Sequence, residues 1–474
     1  METAVTSDPH AAERVERATK RSTLLVATIA SFLTPFMVSS VNVALPSIGR
    51  DFAMDAVALS WVATAYLLAA AMLLVPFGRW ADIAGRKKIF AAGMGVYSLA
   101  SLIIGLAPNG TVMIAARALQ GAGATMTFST SMAVLMSVYG PSERGRVIGI
   151  TTAAVYLGLS LGPTAGGLLT QYWGWRSIFL LNVPLGLVVL VIILWKLKGE
   201  WSATDSGGFD WPGTLLYSLA LLMIIYGFSV LPAVSGGVLI AVGLLGLAAF
   251  VKWETMARSP LLNLNLFRGN TTFVWSNVAA LINYSATFAV TFLLSLYLQY
   301  IKGLTPQSAG LVLVAQPVVM AVLSPIAGRL SDHHEPRMVA SIGMALTTAG
   351  LLLLVFAGNQ TPILFIVAAL MILGSGFGLF SSPNTNAVMS AVDKRYYGVA
   401  SAVLGTMRLT GQTLSMGTVM LIFALVIGRV QITPPSYPLF LHSVHIAFVL
   451  FTLLCAAGVG ASLARGKMHG RPSP

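Results

Sequence analysis

The sequence predicts an all-α polytopic membrane protein, with fourteen transmembrane helices arranged as two groups of six and an inserted pair between them. Three observations carry that expectation. Long apolar stretches alternate with short polar loops along almost all of the 474 residues. Apolar residues make up 56% of the chain and charged residues 9%, against about 25% charged in a soluble domain. The 28 Lys and Arg are also sorted. Arg50, Arg176, Lys302 and Arg429 fall in loops on one side, Arg117 and Arg408 fall inside apolar stretches, and the remaining 22 share the other side. Basic residues concentrate on the cytoplasmic side of membrane proteins, so both termini are expected in the cytoplasm.

Taken in order, the elements begin with residues 1–22, which are polar (Asp8, Glu13, Arg14, Glu16, Arg17, Lys20) and expected to form a flexible cytoplasmic tail. A helix needs roughly 20 apolar residues to cross the hydrocarbon core. The first span, 23–46, carries an apolar run from Leu24 to Leu45 that is too long for a signal-peptide core, so it is expected to be retained. Spans at 57–78, 88–107, 111–138, 145–171 and 177–197 complete a six-helix half over 23–197. Within 198–271, spans at 211–230 and 236–254 meet at a tight Pro232/Gly236-Gly237 turn and form the inserted pair. The second half, 272–464, holds spans at 272–301, 306–329, 338–357, 361–389, 398–428 and 441–464, and 465–474 is a second tail. A weak repeat supports two halves. Gly78-Arg79-Trp80-Ala81-Asp82 follows the second span, Gly328-Arg329-Leu330-Ser331-Asp332 follows its counterpart, and Arg86 and Arg337 open the next helices. Repeats of this kind place a substrate site between the halves.

The composition also excludes other classes. A net charge of +13 invites a nucleic-acid reading, but the basic residues are scattered through loops and form no binding stripe. Cys455 stands alone, so it forms no internal disulfide and is expected to pack. His442 and His445 make an i,i+3 pair near the outer end of the last span, with no carboxylate or thiol beside them. Polar filler is preferred there to a proton sensor; no metal and no cofactor is expected. The other histidines, including His469, lie in loops and tails. There is neither a phosphate loop of the form G-x-x-x-x-G-K-[ST] nor an H-E-x-x-H run, which argues against ATP as direct driver and against an enzyme.

Three motifs narrow the function. Gly78 through Lys88 (GRWADIAGRKK) reads as a loop whose glycines permit a tight turn, with Asp82 able to accept from a facing helix N-terminus. Arg117-Ala118-Leu119-Gln120-Gly121-Ala122-Gly123 puts a guanidinium inside the membrane, where it is expensive and by default functional. Gly158-Leu159-Ser160-Leu161-Gly162-Pro163-Thr164-Ala165-Gly166-Gly167 combines close-packing small residues with a proline kink, a composition suited to a gate. These runs resemble the signatures of the major facilitator superfamily: G-x-L-a-D-r-x-G-r-k, R-x-x-q-G-x-g and the antiporter motif g-x-x-x-G-P-x-x-G-G. With Asn42-Val43-Ala44-Leu45-Pro46, Trp173-Gly174-Trp175-Arg176, Asn182-Val183-Pro184-Leu185-Gly186 and the fourteen spans, the chain from about 24 to 464 is similar to the fourteen-helix drug:proton antiporter branch. The resemblance implies a cytoplasmic gate at Gly78, Asp82, Gly85 and Arg86, and a second gate at Gly158, Gly162, Pro163, Gly166 and Gly167. It also implies a coupling role for Arg117.

One position departs from the family. Where an Asp usually stands five residues before the Asn of N-V-A-L-P, this chain has Met37, and no acidic residue falls near the middle of any span. Neutral polar groups reach the expected cavity: Asn42, Gln120, Tyr156, Asn277, Asn283, Tyr284, Gln316, Asn384 and Gln412. Each serves equally as a helix–helix hydrogen bond. Arg408 stands some ten residues into its span, roughly 15 Å deep. Arg117 and Arg408 therefore either line a cavity that disfavours lipophilic cations or are held by backbone carbonyls. The leading expectation is a proton-coupled exporter of amphipathic small molecules in a prokaryotic inner membrane, in contact with lipid, for which a monomer suffices. The alternative is an uncoupled exchanger or facilitator of organic anions using Arg117 and Arg408.

Overall fold

The computed structural model describes residues 9–140, 143–197, 208–257, 260–261, 264–393 and 396–466. Asp8 and His469 lie outside these, as do the side chains of residues 9–18 and of Asp332. The first half consists of α1 (Pro9–Asp51), α2 (Ala56–Ala84), α3 (Arg86–Gly105), α4 (Gly110–Val138), α5 (Arg144–Trp173) and α6 (Arg176–Lys196). The pair α7 (Trp211–Val230) and α8 (Val234–Glu254) follows. The second half runs through α9 (Thr271–Leu296), α10 (Pro306–Leu313) continued by α11 (Ala315–His333), α12 (Pro336–Val355), α13 (Ile363–Ser390), α14 (Tyr397–Val426) and α15 (Tyr437–Leu463). Among the described residues there is no strand.

Five helix starts are set by side-chain caps. Asp55, Asn109, Asp210, Asn270 and Thr305 each accept the backbone N–H three residues on, satisfying donors that a helix leaves free at its first turn. Among the described residues, thirteen spans are long and apolar enough to cross a membrane. The fourteenth, α4, is 29 residues long and less apolar, because it carries Arg117, Gln120 and a Thr/Ser run from Thr125 to Ser131. It packs between α2 and α3, which shelter those groups.

The two halves repeat one packing plan. In the first, α5 lies on α1, α4 on α2 and α3, and α6 on α1 and α3; in the second, α14 lies on α9, α13 on α11 and α12, and α15 on α9 and α12. The halves meet along α2 with α14, α5 with α10 and α11, and α1 with α9. The inserted α7 sits against both α2 and α14. Its Tyr217 hydroxyl lies 3.4 Å from the Ala71 carbonyl and 3.3 Å from Thr410 Oγ1. For orientation, the ends carrying most Lys and Arg are called the basic face.

Three expectations change. Most of the supposed flexible tail is helical, since α1 begins at Pro9. The stretch read as a loop from Gly78 is the last two turns of α2, and only Gly85, with φ 108°, makes the turn into α3. A side chain there would be strained. Arg465, assigned to the second tail, is buried at 1% exposure, and its carbonyl accepts from Thr272 Oγ1 at 2.9 Å.

The Arg465 guanidinium lies 5.9 Å from the Phe380 ring, and its nitrogens have no hydrogen-bond partner among the described residues. Burial pulls it down to about 10. Arg465→Met keeps the length and removes the buried charge, so it is expected to stabilise the fold by on the order of 1–4 kcal/mol. A lower thermal midpoint for the purified variant would show that the charge is compensated.

Candidate functional site

A cavity of about 980 Å³ lies between the halves. Helical spacing explains its walls. On α9, Tyr284, Thr287, Phe288 and Thr291 fall at i, i+3, i+4 and i+7 and form one stripe facing the space. Across the α10/α11 junction, Leu313, Gln316, Pro317 and Met320 do the same, and Arg408 and Gln412 are an i,i+4 pair on α14. The first half contributes Asn42 and Ser39 from α1 and Tyr156, Leu159 and Pro163 from α5. Tyr156 and Ser324 hydroxyls are 2.5 Å apart and join α5 to α11 across the space. The lining reaches the basic ends of the helices at Gly78, Arg79, Asp82, Arg86 and Gly398, and stops at mid-helix in the other direction. The cavity therefore opens on the basic face.

Beyond it the halves are sealed. Pro46 has no N–H to give the carbonyl four residues back, at Asn42. The Ser295 hydroxyl of α9 donates to that carbonyl at 2.6 Å, and Gln299, in the helical turn Tyr297–Ile301 that continues α9, donates to Val43 O at 2.9 Å, both from the other half. On α5, a Cβ at Gly158 would meet Phe32 O at 2.5 Å, one at Gly166 would meet Ser40 Cα at 2.6 Å, and one at Gly162 would overlap Ser39 Oγ. Ser40 Oγ donates to Gly162 O at 2.9 Å. Gly167 faces the backbone of Pro306, and Gly310 faces the Pro163 carbonyl, so α5 and α10 touch main chain to main chain. The Trp175 indole and the Arg176 guanidinium both donate to Asp51, tying the end of α1 to the start of α6.

Of the residues expected in the cavity, Asn42, Tyr156, Tyr284, Gln316, Arg408 and Gln412 line it. Arg117, Gln120 and Asn283 do not; they are buried at 1%, 0% and 0% exposure. Arg117 Nε donates to Val62 O at 2.9 Å, its Nη1 donates to Gln120 Oε1, and Gln120 Nε2 donates to Ser101 Oγ at 2.8 Å. The Tyr66 ring lies 4.5 Å from the guanidinium. This is a closed network among α2, α3 and α4. Gly121 permits it, since a Cβ there would run into the Tyr66 carbonyl. Asn277 and Asn384 are likewise buried between helices, and Met37 is fully buried in the core. The residues missed from sequence were Phe288, Phe377 and Ser324; the i, i+4 relation of Phe288 to Tyr284 was the available signal.

At the mouth, Asp82 pairs with Arg86 at 2.9 Å across Gly85 and does not cap a facing helix as expected. Arg86 also donates to Ser137 Oγ on α4 at 2.9 Å. In the repeat, Ser331 Oγ accepts from Asn386 Nδ2 on α13 at 3.2 Å, and Arg337 pairs with Glu335 at 3.3 Å. Among the described residues lining the cavity, Asp82 is the one carboxylate.

A family model described as Major Facilitator Superfamily matches residues 27–416. The multidrug resistance protein Stp of Mycobacterium tuberculosis (strain ATCC 25618 / H37Rv) is 33% identical over 402 residues, covering 83% of this chain and 74% of that protein. The riboflavin transporter RibZ of Clostridioides difficile (strain 630) is 29% identical over 388 residues, covering 81% and 84%. A bacterial homolog of the human lysosomal transporter Spinster, solved inward-facing and unoccupied, superposes with a TM-score of 0.70 at 15% identity, covering 94% of this chain and 97% of that one. At that identity the likeness concerns the fold.

The Arg117 network makes a stability prediction. Arg117→Ala strands Gln120 Oε1 in a buried site and opens a void, at a cost on the order of 3 kcal/mol. The double change Arg117→Met with Gln120→Leu removes both partners and is expected to cost less. Thermal unfolding of the purified variants decides; an equal or larger loss in the double variant would remove the pairing argument.

Proposed function

The chain belongs to the Major Facilitator Superfamily, and from that premise we propose that it exports amphipathic small molecules, drug-like compounds among them, by proton antiport with alternating access. The observation that carries this reading is the cavity between two similarly packed halves, open at the basic face and sealed beyond Asn42 and Pro163. The basic face is taken as cytoplasmic, in the inner membrane of a prokaryote, by the sorting of Lys and Arg. Export of drug-like compounds is supported by the resemblance to a multidrug resistance protein.

Each gate then has a part. Gly85 lets α2 and α3 turn sharply, and Asp82 with Arg86 stands at the rim beside Gly78, where the other half arrives when the mouth closes. On the far face, Gly167 meets the Pro306 backbone and Pro163 O meets Gly310, a backbone-on-backbone contact between the halves, while Gly158, Gly162 and Gly166 hold α5 close to α1 within the first half. Separating α5 from α10 there requires no side chain to unthread, which suits a seal that opens in every cycle. With Met37 buried and Arg117 enclosed, the described lining holds no carboxylate in the middle of the cavity, and Asp82 is the one carboxylate in that lining to carry proton exchange. A second reading, uncoupled movement of organic anions, loses Arg117 and keeps Arg408, for which the described lining supplies no counter-charge beside it.

Two experiments test the proposal. In inside-out vesicles with an acid interior and a pH-sensitive dye, adding an amphipathic drug-like compound is expected to release protons only where the protein is present. Protein-dependent accumulation of an organic anion without proton movement would replace antiport with the second reading. Pro163→Ala restores a helical N–H at the seal and is expected to slow transport about tenfold with little loss of thermal stability. Gly162→Leu collides with Ser39 and is expected to unfold at lower temperature. Unchanged transport by Pro163→Ala would remove the gate assignment.

A further inference from the structure

We infer that the substrate of this cavity is an organic anion with a flat aromatic body, its acidic group seated on Arg408 and its ring among Tyr284, Phe288 and Phe377. This rests on reading the cavity as the transport site. Three arginines have side chains within the helical bundle or buried at its end, and they differ in what faces them. Arg117 is enclosed by Val62 O, Gln120 and the Tyr66 ring. Arg465 is buried outside the cavity against Phe380. Arg408 alone of the three lines the cavity.

Its described surroundings are a ring and neutral amides. The guanidinium carbon sits 5.5 Å from the Tyr284 centroid, a contact that orients a guanidinium and leaves its charge intact. Gln412, one turn further along α14, and Gln316 across the space present side-chain amides. No carboxylate pairs with Arg408 among the described residues; Asp82, the one in the lining, is held by Arg86 at the mouth. A fixed positive charge in a cleft with low-dielectric walls concentrates anions and repels cations. A planar guanidinium also offers a fork that fits a carboxylate or sulfonate with two parallel hydrogen bonds.

The aromatic part of the assignment has its own observation. Tyr284 and Phe377 meet edge to face, with centroids 5.4 Å apart at 75°, and Phe288 lies one turn along α9 from Tyr284 on the same wall. Phe288 and Phe377 line the cavity beside Tyr284 and give this wall the aromatic surface against which a flat guest packs. Acid and ring sites adjoin at Tyr284, so one molecule of modest size spans both. At about 980 Å³ the cavity takes a drug-sized compound with room for water.

The test uses two xanthene dyes of similar size and opposite charge, carboxyfluorescein and rhodamine 123, with the full-length protein in lipid nanodiscs. Fluorescence polarisation is expected to show the anionic dye binding at least about tenfold tighter, the scale of one charge-assisted hydrogen bond. Arg408→Gln is expected to erase that preference, Arg408→Lys to retain part of it, and Tyr284→Leu to weaken both dyes. Equal or cation-preferring binding by the wild type overturns the assignment, as does binding of neither dye or an unchanged preference in Arg408→Gln. Should Arg408→Gln fail to fold, an Arg408→Lys preference identical to wild type also counts against a guanidinium fork. Binding of carboxyfluorescein without its uptake into vesicles leaves the assignment standing and overturns the transport reading.

Discussion

A carbonyl freed inside a membrane has no water to turn to, and that constraint organises the join between the halves. Spanning segments must satisfy their backbone groups internally. Pro46 withdraws the donor from Asn42 O, and the replacement comes from the other half through Ser295, with Gln299 beside it on Val43 O. The defect in one helix is thus repaired by its symmetry mate. Because the repair lies on the face away from most of the basic residues, the space between the halves is left open at one end only. Gly167 of α5 extends the same seal by bringing main chain against α10, and the other glycines of the motif hold α5 to α1 within the first half.

Charge follows a related logic. Taking a guanidinium out of water is costly unless hydrogen bonds replace the water. Arg117 meets that demand through a carbonyl, an amide and a ring, all on neighbouring helices of one half. These contacts hold α4 to α2 and α3, and α4 tolerates its polar groups because those neighbours cover it. Arg408 meets the demand differently, by facing a water-accessible cavity. The same residue type therefore sets helix packing in one place and the electrostatic character of the cavity in another.

The halves share packing and diverge in chemistry. Where Asp82, Arg86 and Ser137 link α2, α3 and α4 in the first half, Ser331 and Asn386 link α11 to α13 in the second. Both repeats also carry an ion pair at the basic ends of the helices, Asp82 with Arg86 and Glu335 with Arg337. The inserted pair adds an asymmetry, since α7 bears on α2 and α14 where the halves meet, and has no counterpart across the molecule.

Much of the fold was legible in the residues. Apolar length and the sorting of Lys and Arg specify fourteen spans, since a bilayer imposes one thickness on every segment. The glycines of α5 announced themselves by spacing, because a small-residue face has one common use in a membrane. The site was legible only in part. Asn42, Tyr156, Tyr284, Gln316, Arg408 and Gln412 were chosen as polar groups in apolar helices, and they do line the cavity; Arg117, Gln120 and Asn283 were chosen on the same grounds and do not. Residue type sets the cost of burying a polar group, and so marks it as needing a partner. Whether that partner is a neighbouring helix or an open cavity depends on the rotation of each helix about its axis, which side chains from other parts of the chain decide.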